Sequence, residues 1–224
     1  MSLKFSIQAW NAWDAARHAQ PDVSVIPPLL RRRLSSMGRA ALSVAIPLAA
    51  EHGAMPLVFV SRHGEINRTL SLLECISEGE QLSPAVFSLS VHNAIAGLFS
   101  IQQGLTANIS AIAAVSEDLL PGLLEAIGIC SKKIPKVMCV FCDDPLPPFY
   151  RRYVAAPLTG FAVAIVLSRD TSPTNSWTLT HQQSVSTAND QTQALQLLAM
   201  LENATPELLI TSNGSQWKLE RAQQ

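Results

Sequence analysis

From Gln81 to Ser116 the chain carries no formally charged side chain. A water-facing element rarely lacks charge for so long, so this run predicts elements buried on nearly every side, by the chain's own core or by another surface. Within it, Ser83-Pro84 reads as a helix start, with Ser as the cap and Pro in the first turn. One helix or two then continue to Gln103 through Val91, Ala94, Ile95, Leu98, Phe99 and Ile101, and Gly104 ends them. The stretch from Asn108 to Val115 is small, apolar and strand-like.

Composition sharpens this reading. Charged residues are 15% of the 224, below the roughly 25% of an average soluble domain, while the hydrophobic share of 48% is ordinary. The deficit therefore lies on the surface, and a weakly charged surface implies one covered by another subunit. The net charge is -1, and the only basic cluster is Arg31-Arg32-Arg33, which argues against nucleic acid as a partner. The length fits one large domain or two small ones. Lys4, Asp14 and Arg17 interrupt any would-be signal peptide, and no run of about 20 apolar residues predicts a membrane span. Cys75, Cys130, Cys139 and Cys142 lack a framework spacing and are read as reduced thiols of a cytoplasmic protein.

Elsewhere the pattern alternates helix and strand. Ser35-Ser36 caps a helix to about Glu51, with Pro47 expected to kink it and Gly53 just beyond. Pro56–Ser61 is a short strand, Arg62 to Glu65 a polar turn read as a solvated loop-top hydrogen-bond network, and Ile66–Ser77 a helix with Leu70, Leu73 and Ile76 on one face. Ser116-Glu117-Asp118 reads as a cap with acids in the first turn of a helix running to about Cys130. Val137–Phe141 and Phe161–Leu167 are buried-type strands, the first closed by Asp143-Asp144 and a proline-rich loop. Twelve of residues 171–188 are Ser, Thr, Asn or Gln, with an edge strand over Trp177–Val185. Asp190–Leu201 follows as a helix, and Glu207–Leu219 as a strand pair turning at Asn213-Gly214. The order predicts an α/β layered fold. His92, alone on an apolar helix, reads as a satisfied core or interface group. Cys139 and Cys142 form a C-x-x-C, but positions i and i+3 of a strand face opposite ways and cannot share a metal. No metal site and no cofactor are expected.

The segment Ser83–Leu119 resembles the β-ketoacyl synthase family, of thiolase fold. The resemblance rests on Val91-His92-Asn93, Ala96-Gly97, Gly104-Leu105, the strand Ile109–Val115, and Ser116 at the position of the nucleophile. It extends upstream through Arg39 and Phe59 to Glu65, and downstream through Lys136–Asp143 and Gly160–Ala164. It covers about residues 1–170, the N-terminal half of that fold, and leaves 171–224 as a short extension packed on the same domain. Ile26-Pro27-Pro28, the arginine run and Met37-Gly38-Arg39 are similar to the short chain length factor relatives of aryl polyene and type II fatty-acid- or polyketide-like clusters.

Two departures bear on activity. Ser116 stands where a condensing enzyme has Cys, and a hydroxyl without a base is a far weaker nucleophile than a thiolate. The family draws two catalytic histidines from its C-terminal half, and after residue 92 this chain has only His181. The resemblance thus implies a non-catalytic subunit that pairs with a complete β-ketoacyl synthase. It also implies that the strand before the nucleophile pairs across a two-fold, and that the preceding helix closes the partner's acyl tunnel. Val86, Phe87, Leu89, Ser90, Asn93, Ile109 and Ile112 are the expected tunnel and interface residues, with Phe87 foremost. Arg31, Arg32 and Arg33 are the expected contact with an acyl carrier protein. Two other readings stay open: an independent acyltransferase or hydrolase using Ser116, with Asp118 or His92 nearby, and a scaffold that only recruits carrier protein.

Overall fold

The computed structural model describes residues 1–114, 119–153, 159–182, 192–203, 205–212 and 214–222. In chain order the elements are β1 (Ser2–Asp14), α1 (Pro28–Arg31), α2 (Ser36–His52), β2 (Leu57–Val60), α3 (Ile66–Ser77), α4 (Pro84–Ser88), α5 (Ala94–Gln103) and β3 (Ile109–Ile112). There follow α6 (Leu119–Ile129), β4 (Lys136–Asp143), α7 (Pro148–Arg151), β5 (Phe161–Ser168), β6 (Trp177–Gln182), α8 (Gln193–Asn203), β7 (Glu207–Ser212) and β8 (Ser215–Arg221). Among the described residues the strands form one eight-stranded sheet in the order β3-β2-β4-β5-β1-β6-β8-β7. β2 runs parallel to both β3 and β4, and the other pairings are antiparallel.

Strand alternation sends side chains into two cores. Val58, Val60, Cys139, Phe141, Val163, Ile165 and Leu167 meet α6 and α8 on one face. Leu57, Phe59, Met138, Val140, Cys142, Ala162, Ala164 and Val166 meet α1, α2 and α5 on the other. Cys139 and Cys142 therefore lie in different layers, as the strand period of two requires. Strands buried on both faces read as continuous apolar runs, which is why β4 and β5 were legible. Ala162 and Ala164 meet Ala40, Ala41, Val44 and Ala45 within the second core, and side chains this small let helix and sheet approach closely. Gly122 of α6 has no room for a methyl group: a Cβ there would stand 2.5 Å from Phe141 Cε1 and 2.8 Å from Val60 Cγ2.

Ser35 caps α2 as expected, its Oγ accepting from the Gly38 N–H at 3.0 Å. The helix is continuous through Pro47, and Gly53 closes it with φ 81°. Several expectations are corrected. The segment Ser2–Asp14, read only for leader features, is a 13-residue strand at the middle of the sheet. A register shift between Ile7 and Ala9 and the polar Lys4, Gln8 and Asn11 disrupt its alternation in the text. β6 is no edge: it lies between β1 and β8, and β7 takes the edge. Residues 183–185 lie outside the described residues. Ser83 precedes α4, but its side chain makes no cap bond. The predicted turn at Asn213-Gly214 joins β7 to β8, with Gly214 at φ 74° and Asn213 outside the described residues.

The strands after β5 extend the sheet through β1, which pairs β5 along residues 6–14 and β6 along residues 2–5. Trp177, Leu179, Ile210 and Leu219 join α8 in the same core as α6. The opposite face of this extension carries Thr178, Thr180, Lys218 and Glu220, and no buried cluster forms there.

Candidate functional site

Two strand ends converge where β2 and β4 finish side by side. The β4 residue Asp143 is 3% exposed and collects three donors. Ser61 Oγ–H donates to it at 2.7 Å, the Arg62 N–H at 3.0 Å and the His63 N–H at 3.3 Å. Ser61 Oγ in turn accepts from the Gly64 N–H at 2.8 Å. The next residue, Asp144, turns the other way and bonds Ser36 Oγ and the Met37 N–H at the start of α2. Glu65 is 5% exposed, accepts from Ser35 Oγ at 2.7 Å and pairs with Arg68 Nε at 2.9 Å. Burial pushes the Asp143, Asp144 and Glu65 carboxyls up, against the downward pull of these donors. The hydrogen-bond network expected at Arg62–Glu65 is present, and only its solvation is corrected, since the Glu65 carboxylate is buried. A charged turn looks the same in sequence whether or not another loop closes over it.

His92 Nε2 lies 2.8 Å from the Ser61 carbonyl oxygen, and its ring stands edge-on to Phe59 at 6.1 Å. It is a satisfied group at the start of α5, as its setting predicted. Gly64, at φ 55°, allows the approach: a Cβ there would sit 2.8 Å from His92 Cδ2. The three carboxylates, Ser61 and His92 of this strand end are each bonded within the chain, so they hold loops in place. Ser116, with Glu117 and Asp118, lies outside the described residues, between buried Ala114 and the start of α6.

The uncharged run lies beside this cluster and meets water. Phe87 is 59% exposed and Ile101 78%, with Val86 and Val91 also exposed. The single chain thus leaves part of this run open rather than buried on every side. Only its inner side packs, through Ile95, Ala96, Leu98 and Phe99. Among the described residues β3 is the last strand of the sheet and pairs on one side only, with β2. Of the expected interface residues, Leu89 and Ile109 are half-buried against the α2 core and Ile112 against the α6 core. Val86, Phe87 and Asn93 are exposed, and the Ser90 carbonyl accepts from Thr69 Oγ1 at 3.3 Å, tying the turn after α4 to α3. Sequence reading gave α3 its bounds, Ile66–Ser77, but not its exposure. Of its residues only Leu72 is buried, while Leu73 and Ile76 face solvent beside α4.

The basic run serves the chain's own structure in part. Arg31 Nη2 donates to the Ile26 carbonyl at 3.2 Å, Arg39 Nε to the Arg31 carbonyl at 3.3 Å, and Arg68 Nη2 to the Arg33 carbonyl at 2.6 Å. The Arg32 and Arg33 side chains are exposed. At the opposite end of the parallel strands a cavity of about 510 Å³ is lined by His52, Met55, Asn108, Lys133 and Lys136, and by none of the predicted site residues. Among the described residues no cluster of His, Cys, Asp or Glu is placed to hold a metal, and no helix is long and apolar enough to cross a membrane.

The family described as "Beta-ketoacyl synthase, N-terminal domain" matches residues 8–220. In the solved structure of a ketosynthase in complex with its chain length factor from Xenorhabdus doucetiae, one chain is matched over its whole length by 98% of this chain, at 26% identity and a TM-score of 0.85. A β-ketoacyl synthase from Burkholderia phymatum shares the fold at 14% identity and a TM-score of 0.53, with 67% of this chain covering 46% of that one. No curated protein sequence matches.

Proposed function

Because the chain belongs to the β-ketoacyl synthase N-terminal domain family, we propose that it is a chain-length-factor-like subunit, without condensing activity of its own, that pairs with a complete β-ketoacyl synthase. The observation that carries this reading is the open end of the sheet. Among the described residues β3 has a free edge, and the preceding segment from α4 to α5 exposes Val86, Phe87, Val91 and Ile101 without a charge among them. An apolar face next to an unpaired strand edge is unstable in water and calls for a covering partner. The end-to-end match to one chain of a ketosynthase–chain length factor complex supports that partner's being a ketosynthase.

In this role Phe87 and its neighbours close the far end of the partner's acyl tunnel, in fatty-acid- or aryl-polyene-like elongation. Arg32 and Arg33, exposed at the arginine run, offer an acyl carrier protein two cations. The test is co-expression with ketosynthases encoded beside this chain, followed by native mass measurement of what purifies. A one-to-one complex, with the chain aggregating when expressed alone, is the expected result. A well-behaved monomer that ignores every ketosynthase overturns the reading.

A further inference from the structure

The cavity at the entry end of the parallel strands is lined by none of the expected tunnel or interface residues. It lies where three loops run into three neighbouring strands: residues 53–56 lead into β2, 104–108 into β3 and 130–135 into β4. Backbone bonds tie these loops together. The Leu57 N–H donates to the Asn108 carbonyl at 3.1 Å, and the Met138 N–H to the Pro56 carbonyl at 2.9 Å. Ser131 and Ile134 exchange backbone bonds at 2.9 and 3.1 Å, which closes a tight turn around Lys133. The frame is thus held by the chain itself, and a preformed frame lowers the cost of ordering on binding. Its volume of about 510 Å³ falls within the range of small-molecule sites, roughly 300–1,000 Å³.

Strand alternation sets the charge of the lining. Val137 and Cys139 enter the α6 core, so Lys136 falls on the α2 face with Met138. Met138 is buried there, whereas Lys136 is half-buried at the cavity, where the apolar row ends. Lys133 is exposed at the same cavity. Neither lysine has an ion-pair or hydrogen-bond partner among the described residues, and no Asp or Glu among them lines the cavity. His52, which ends α2, adds a ring whose buried Nε2 has no hydrogen-bond partner among the described residues. Glu51 Oε1 is 3.8 Å from that nitrogen, beyond hydrogen-bond reach. Met55 and Ile134 give the cavity an apolar wall. Single surface lysines without partners are ordinary. Two on one cavity, with an apolar wall and no counter-charge in the lining, make a receptor for an anion.

We propose that this cavity binds a small organic anion, with Lys133 and Lys136 on its carboxylate or phosphate group and Met55 and Ile134 against its apolar body. An ammonium serves either headgroup as a point charge, so the two share one recognition chemistry. The apolar wall favours such a ligand over an inorganic ion, which has no apolar surface to bury there.

The test reads each lysine separately. The full chain, in whichever state it purifies, alone or with a ketosynthase, is treated with an amine-acetylating ester. Initial rates at Lys4, Lys132, Lys133 and Lys136 are followed by peptide mass spectrometry. Octanoate and octyl phosphate are the probes; octanol, octylammonium and inorganic phosphate are the controls. Octanoate or octyl phosphate is expected to slow acetylation of Lys133 and Lys136 about fivefold once the site is mostly filled. Lys4 and Lys132, both exposed, should keep their rates. Whichever anion protects at the lower concentration identifies the headgroup. Lys133→Gln, at an exposed position, is expected to raise the anion concentration that protects Lys136 about tenfold, the loss of one charged hydrogen bond. Equal protection by any control, equal protection of Lys132, or protection of neither Lys133 nor Lys136 overturns the inference. None of these outcomes bears on the ketosynthase contact, which the mass of the purified assembly decides.

Discussion

Asp143 shows how one buried carboxylate organises a loop. Its three donors come from Ser61, Arg62 and His63, so the chain leaving β2 is tied to the end of β4. Burial raises its pKa above the ordinary range despite these bonds. The sign follows from linkage. A carboxyl whose folded pKa exceeds its unfolded value binds its proton more tightly when folded, so its stabilising contribution is full in acid and is lost as pH rises through the folded pKa. Asp143→Asn removes that titration and misplaces an amide donor in the loop, at a cost of about 1–3 kcal/mol. Urea unfolding of both proteins from pH 4 to 8 is expected to show the wild type's advantage greatest at the acid end and shrinking with pH. A gap that widens with pH would refute the assignment. Asp143 was legible as the end of a strand, but its burial was not: an acid beside a second acid and a proline loop reads as surface.

At the scale of elements, α2, β2, β4 and β5 were plain in the text, because each carries its period and its stop signals locally. α4 and α5 were read as one helix or two; the break falls at residues 89–93, where Ser90 is tied to Thr69 of α3. A contact with an element twenty residues away is invisible to periodicity. α4 is also where the tunnel proposal is testable. Phe87 is 59% exposed, so its loss opens no cavity in this chain. Phe87→Ala is expected to change stability by less than about 0.5 kcal/mol, the usual range for surface positions. In the reconstituted complex it should lengthen the acyl products, read by mass spectrometry. An unchanged product distribution in an intact complex would remove Phe87 from the tunnel.

For the whole molecule, β1 is the seam. It pairs β5 with one part of its length and β6 with the other, so the first 170 residues and the extension share one sheet and, through α6 and α8, one core. Phe5 sits at this joint, 1% exposed and opposite Trp177. Phe5→Ala is expected to cost about 3–5 kcal/mol and to lower a single cooperative unfolding transition. Two separate transitions by calorimetry, with only one of them moved, would instead show an independent extension. The sequence by itself determined the layered α/β class, the buried strands, the family resemblance and the uncharged run, because all of these are written in composition and local period. Tertiary structure alone decided the central place of β1, the burial of Asp143 and Glu65, and the exposure of α3 and α4. Strand order, the closing of one loop over another and the side of a helix that finds a neighbour are set by contacts between distant residues, and no local pattern in the chain encodes them.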